Sequence, residues 1–424
     1  MSLFSKLVRE SFWRTTKKWR KHLIWSGVSI IALVSANYLV SHYVGKIVGE
    51  KIELLVQEKS DGLYNVSWNK IGFIVNQNRF YLHKFDFKYN DGYVKSHGPD
   101  SIKSNYLFNA DVDTLTLDVH DFWSILFEKR LRVDGIAIIK PRIEVLKLHS
   151  TQSAGKITME AGNMYQLLSG QLKELKISDF IIKDGSFRHI APSGTTTENF
   201  EIHNLTFEVK NFQLDSAANQ RDDKFLFTDD IYIELRDQRF LLKDSLHQLT
   251  FDRFYASVKT NEAGFENLHI NGYDSSARNT ENAADFMVSL PELRLTGVDF
   301  IRAYNEGVLF IDSITIAKPV LQIEHWGKQQ KKKPGKSIVP QLLAHHSKVS
   351  INHFKLAGAS FSLPDQEETT KYSVENVSAL ISNIVVDTMI TSGVGSGLSF
   401  DKVDLMIRDF RHMLARQFHL LPRR

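Results

Sequence analysis

The sequence predicts a mainly β protein, an elongated antiparallel sheet built from two repeats, with one N-terminal transmembrane helix and a few short helices. Three observations predict it. An uncharged apolar run stands near the N-terminus, period-2 alternation recurs through the rest of the chain, and two stretches of that remainder align without gaps.

The apolar run comes first. Leu23–Val44 reads LIWSGVSIIALVSANYLVSHYV, with no Asp, Glu, Lys or Arg, and its length suits a hydrocarbon core of about 30 Å. Trp25, Tyr38 and Tyr43 lie toward its ends, where amphipathic rings favour the interface. Arg14, Lys17, Lys18, Arg20 and Lys21 crowd its N-terminal flank, whereas only Lys46 and Lys51 follow closely. That asymmetry keeps the basic tail, 1–22, in the cytoplasm and exports everything after 44. A cleaved signal peptide processed at Val34-Ser-Ala36 fits less well, because the apolar run continues past that site. An amphipathic linker over 45–63 follows the span.

Composition bounds the chemistry. The chain has 424 residues, a net charge of +4 and no cysteine. Disulfides, thiolate catalysis and Cys-ligated metals are therefore excluded. Plentiful Phe (28) and Tyr (13) with few Pro (9) argue for folded structure rather than disorder.

The exported part carries a duplication. Val112–Val145 and Leu290–Ile323 align at a constant offset of 178, the separation of Pro141 from Pro319. Leu115, Leu117, Asp121, Phe122, Leu131, Asp134, Ile136, Ile138 and Lys140 all recur at that offset. Ile177–Phe180 then parallels Ile351–Phe354, and Asn204 and Asp215 pair with Asn376 and Asp387. Leu249–Val258 faintly echoes Val66–Val75. The two units span about 64–246 and 247–424.

Within each unit the elements read mostly as strands. Leu115, Leu117 and Val119 alternate with Thr116 and Asp118; Leu131 and Val133 alternate with Arg132 and Asp134; Ile231, Ile233 and Leu235 repeat the pattern. Such strands bury one face and wet the other, as antiparallel sheets do. Gly135 stands where the phase slips, a bulge position, and Pro141 marks an edge or a strand end. Two short helices punctuate each unit. Asp121 or Asp299 caps the first, and the second covers Met159–Leu175 in one unit and Ile338–Ser347 in the other. Many one-sided strands with few helices must pack as a sandwich or barrel, or line a groove that something else fills. A sandwich is the default expectation.

The phrase "strand, small turn, strand, Lys-Pro, strand" occurs at Val133–Pro141 and again at Ile311–Pro319. With the N-terminal anchor, the post-anchor stretch Ile52–Lys59 and the segment Ile177–Phe187, the chain resembles the AsmA-like superfamily of bacterial envelope proteins, which includes TamB-like and YhdP-like members. The resemblance covers nearly the whole chain through structural motifs. It implies a taco-like sheet with an apolar trough, anchored in the bacterial inner membrane with its bulk in the periplasm. It further implies phospholipid acyl chains as cargo, a role in lipid transport or outer-membrane biogenesis, and envelope proteins as partners. Candidate trough-lining residues are Leu115, Leu117, Leu131, Val133, Ile136 and Ile138, with Leu293, Leu295, Leu309, Ile311, Ile314 and Ile316 in the second unit. Apolar contact is worth about 25 cal/mol per Å², so a trough needs no catalytic group.

Other chemistries find little support. His345, His346 and His353 lack a carboxylate at ligand spacing, and Asp111, Asp113, Asp118 and Asp121 read as solvent-facing strand positions rather than a calcium loop. Gly393-Val-Gly-Ser-Gly397 is not a nucleotide loop, and no Gly-x-Ser-x-Gly elbow exists. Asn65, Asn204 and Asn376 begin N-x-S/T sequons. Lys331–Lys336 reads as a solvated basic loop, and the near charge balance of the exported region argues against nucleic-acid binding. The expectation is a non-enzyme with no cofactor or metal. An anchored scaffold or adhesion module is the competing class.

Overall fold

The computed structural model describes Tyr43, Lys46, 49–98, Ile102, 106–120, 130–148, 173–190, 200–215, 225–242, 247–272, 285–325, 346–364, 370–387 and 397–414. The span Leu23–Val44, apart from Tyr43, lies outside these residues. So do the expected helix after Asp121, most of those over Met159–Leu175 and Ile338–Ser347, His345, the Lys331–Lys336 loop and most of Gly393–Gly397. Among the described residues no helix is long and apolar enough to cross a membrane.

A helix over 49–59 (α1) leads into β1 (Tyr64–Ser67), β2 (Lys70–Ile74) and β3 (Arg79–Tyr89). A short helix α2 (Asp91–His97) precedes β4 (Tyr106–Val119), β5 (Arg130–Ile139) and β6 (Arg142–Lys147). β7 (Glu174–Ile190), β8 (Phe200–Asp215), β9 (Asp230–Leu241), β10 (His247–Ser257), β11 (Glu262–Gly272) and β12 (Asp285–Thr296) follow. Helix α3 (Phe300–Glu306) separates β12 from β13 (Val308–Ala317) and β14 (Val320–His325). The series ends with β15 (Lys348–Pro364), β16 (Thr370–Asp387), β17 (Leu398–Ser399), β18 (Lys402–Met406) and β19 (Asp409–Leu414).

Among the described residues all 19 strands belong to one sheet. The pairings run almost in chain order. β1 and β2 lie end to end along β3; β4 follows, then β5 and β6 end to end, then β7 to β12 singly. β13 and β14 share the next row, β15 and β16 come after, and β17, β18 and β19 form the last row. The default sandwich is therefore corrected to a single sheet. Alternation specifies that one face is apolar but does not specify what lies against it. The purely antiparallel expectation is corrected too, because β5 and β6 run parallel to β7, and β13 and β14 run parallel to β15. Long connections precede β7 and β15, which lets the chain return to its starting end.

The registers of the two units coincide. Leu115 opposes Ile138 as Leu293 opposes Ile316, and Ile177 opposes Phe212 as Ile351 opposes Ile384. Backbone specials recur at the same places. Asn78 and Asn261, Lys84 and Asn267, Lys140 and Lys318, Asp184 and Gly358, Asn204 and Asn376, and Asn211 and Asn383 all have positive φ. Asn, Asp and Gly tolerate this left-handed conformation best. The sequon residues Asn204 and Asn376 thus sit at bulge-type backbone positions. Lys140 and Lys318 immediately precede Pro141 and Pro319, which stand at strand ends, between β5 and β6 and between β13 and β14, in rows inside the sheet rather than at its edge.

Smaller expectations resolve residue by residue. The register slips between Asp118 and Val119, which pair with Gly135 and Val133 and leave Asp134 as the extra residue of a bulge. Asp299 caps α3 by accepting from Arg302 N at 2.9 Å. Glu174 and Leu175, expected to end a helix, open strand β7 instead, and Ser347 precedes β15 outside any helix. Helix α2 was not expected from its pattern. Its N-cap Asn90 accepts from Gly92 N and Tyr93 N.

Candidate apolar binding face

Directly paired residues on neighbouring strands project to the same side of a sheet. Following the partners across this sheet gives a row with no polar member. It starts at Ile71 and passes through Leu82, Leu115, Ile138, Ile182, Phe207 and Ile233. It continues through Ala256, Ala263, Leu295, Ile314, Phe354, Ile381 and Val403. A second row runs from Leu205 through Leu235, Phe254, Phe265, Leu293, Ile316, Leu356 and Ala379 to Leu405. A third runs from Phe73 through Phe80, Leu117, Ile136, Phe180 and Val209 to Ile231.

Where the backbone turns left-handed, the apolar phase shifts by one residue, so the spacing becomes three. This keeps the apolar side chains on one face. Phe251 and Phe254 both contact Phe265, at ring-centroid distances of 5.3 and 4.8 Å, although simple alternation would put them on opposite faces; the left-handed residues at this level are Asp237 and Asn267 on the two flanking strands.

The opposite face is mostly polar. Flanking the first apolar row, a transverse row runs from Thr116 through Ala137 and Ile181 to Glu208, and from there is polar throughout: Tyr232, Ser257, Glu262, Thr296, Ser313, His353, Ser382 and Lys402. Ion pairs bridge strands there: Lys210 to Asp179 at 2.6 Å, Arg294 to Glu262 at 2.7 Å and Arg253 to Glu266 at 2.9 Å. The side-chain hydrogen bond to Asp179 raises the Lys210 pKa. Glu234 is the most enclosed of these charges, at 8 % exposure. It accepts from Tyr232, Arg236 and Arg253, each at 2.7 Å. Burial pushes its carboxyl up, but the hydrogen bonds outweigh burial and bring it to about 2. Asp118 pairs with Arg79 and Asp113 with Lys84, so these aspartates serve the strand ladder. His353 is exposed, and among the described residues no His, Asp and Glu group could hold a metal ion.

Two glycines sit opposite tyrosines on the polar face. Gly72 opposes Tyr81, and at the matching position of the second unit Tyr255 opposes Gly264, with the two partners exchanged. A Cβ at Gly264 would lie 2.9 Å from the Tyr255 ring and 2.9 Å from the Leu293 carbonyl oxygen. Each ring thus lies across a bare backbone and covers it.

The candidate lining residues separate by exposure. Leu115, Leu117, Leu131, Ile136, Ile138, Leu293, Leu295, Leu309, Ile314 and Ile316 are half-buried. Val133 and Ile311 are each only 3 % exposed, and both lie past the bulge positions Asp134 and Asp312, among other enclosed residues such as Val119 and Val349. They are core rather than lining. Sequence reasoning missed Ile182, Phe354 and Ile381 as members of the same face. Extending the alternation with a three-residue step at each Asn, Asp or Lys-Pro break would have found them.

No family profile matches this chain, and no curated protein matches it. Among solved structures it is similar to the crystal structure of the sex pheromone staph-cAM373 precursor, at 8% identity, covering 84% of this chain and 89% of that one, with a TM-score of 0.15. A likeness this low carries no argument about fold or function.

Proposed function

We propose that this chain is an AsmA-like envelope protein whose apolar sheet face holds phospholipid acyl chains. In this reading Leu23–Val44 anchors it in the bacterial inner membrane. The two duplicated units, 64–246 and 247–424, form a taco-like groove in the periplasm that contributes to lipid transport and outer-membrane biogenesis, with envelope proteins as partners. The observation that carries the reading is the set of unbroken apolar rows on one face of a single sheet, half-buried except at their ends Val403 and Leu405. Water on such a face costs about 25 cal/mol per Å², which acyl chains relieve while a headgroup stays hydrated at the rim. The polar face, laced with ion pairs, is suited to solvent. The apolar rows carry no reacting group, and none is needed for lipid holding.

The test uses the photoreactive amino acid benzoylphenylalanine in the full-length chain in bacterial cells. Placed at Leu117 or Leu295 it should label phospholipid. Placed at Thr116 or Arg294, the adjacent positions facing the other way, it should not. Equal labelling from both faces, or no lipid adduct from either, refutes the reading and favours an anchored scaffold without cargo.

A further inference from the structure

The two outer rows of the sheet have counterparts that already pair inside the molecule. β9 joins β10 antiparallel, with Leu235 opposite Phe254 and Arg236 opposite Arg253. The β18–β19 row is the counterpart of β9 at an offset of 172. Thr206 opposes Glu234 as Ser378 opposes Met406, and Asn211 donates to Asp229 at 2.8 Å as Asn383 donates to Asp401 at 2.7 Å. The β1–β2 row is the counterpart of β10 at an offset of 183, as the Gly72–Tyr81 and Tyr255–Gly264 pairs show. Among the described residues no strand pairs with the outer edge of β18 or of β2. At the β18 edge Leu405, Met406 and Ile407 are 62%, 53% and 52% exposed. An edge with apolar side chains is a template for another strand.

We propose that the chain assembles head to tail. The β18 edge of one molecule pairs antiparallel with the β2 edge of a second, in the register of the β9–β10 junction. A second copy of this chain is the fitting partner because both halves of that junction exist in it. The register sets Ile407 opposite Ile71 of the next molecule and Arg408 opposite its Lys70, so the apolar rows continue across the joint. The contact joins two different patches, so it propagates instead of closing as a symmetric dimer. One element of the internal junction is missing. Glu234 lies between Arg236 and Arg253, at 2.7 Å from each, and its counterpart at the edge is Met406. Lys70 and Arg408 therefore face each other without a carboxylate, and the joint tightens as salt screens them.

The inference stands apart from the lipid reading, since a chain that binds no lipid would still assemble this way. The chain has no cysteine, so an introduced pair reports cleanly. Paired Cα atoms lie about 4.5–5.5 Å apart, within disulfide reach. The full-length chain with Ile71→Cys and Ile407→Cys should oxidise to a ladder of covalent multimers. Each single variant alone should form no covalent multimer, and a mixture of the two should give covalent heterodimers only. Met406→Glu should lower the dissociation constant of self-association roughly tenfold at low salt, read by sedimentation velocity, and should remove the salt dependence. Cross-linking of Ile407→Cys to itself would overturn the proposal, as would absence of multimers from a double variant with native circular dichroism. If the double variant fails to fold, the Met406→Glu measurement decides, and unchanged or weaker association overturns the proposal.

Discussion

Replacing Glu234 with Gln should remove the strongest electrostatic tie between the two units. The carboxylate is 8 % exposed and receives hydrogen bonds from Tyr232 and Arg236 on its own strand and from Arg253 on β10. Its pKa falls from 4.5 to about 2 on folding. At about 1.4 kcal/mol per unit, that difference corresponds to ~3 kcal/mol of stability at neutral pH. Because the folded value is depressed, the contribution is complete above pH 4.5 and is lost as pH falls toward 2. By pH 3 about 2 kcal/mol of it has gone. The substitution leaves Arg253 its bond to Glu266, and Arg236 can turn to water, so the net cost should be about 2–3 kcal/mol. Hydrogen exchange at pH 7 is the assay. Amides of β9 and β10 should lose roughly thirty- to 150-fold protection in Glu234→Gln while β3 and β4 stay unchanged. A urea titration between pH 5 and 3 should show a flatter acid dependence than the parent. Unchanged β9–β10 protection, or an undiminished acid response, would refute this account of the junction.

The exchanged glycine–tyrosine pairs make unequal predictions. Gly264→Ala should destabilise by about 1–3 kcal/mol in thermal unfolding, because its Cβ meets the Leu293 carbonyl as well as Tyr255. Gly72→Ala should cost less, because the obstacle there is the swinging end of Tyr81 alone. Asn383→Val should cost about 2 kcal/mol in urea unfolding, combining positive φ with loss of the bond to Asp401, and Asn383→Gly should recover part of it. Asp299→Ala should lower stability by about 1 kcal/mol and expose α3 to faster hydrogen exchange, since Arg302 N loses its cap. Equal effects of the two glycine changes, or an Asn383→Gly variant no better than Asn383→Val, would contradict the backbone reasoning.

Much of the strand content was legible because it is a local property. Leu115, Leu117, Ile136 and Ile138 alternate with polar neighbours, and the 178-residue offset repeats their pattern, so strand type and facing follow without knowledge of partners. Asp299 was legible as a cap for the same reason. The end of the helix expected over Met159–Leu175 was misplaced at Glu174 and Leu175, because the apolar positions of Glu174–Ile190 satisfy β7, whose parallel partner β5 lies far away in sequence. Val133 and Leu117 look alike as alternating apolar residues. Only the three-dimensional surroundings separate the enclosed one from the half-open one.

From its side-chain periodicity, the sequence by itself determined that this is a β protein of one-sided strands in two matching series. Which strands meet, that all join in one sheet instead of two, and that β5 and β13 take parallel partners were decided by the tertiary structure. The physical reason is that alternation records which face of a strand avoids water, whereas pairing depends on backbone hydrogen bonds that any residue but proline can donate. Side-chain pattern therefore names the face, and the path of the chain names the neighbour.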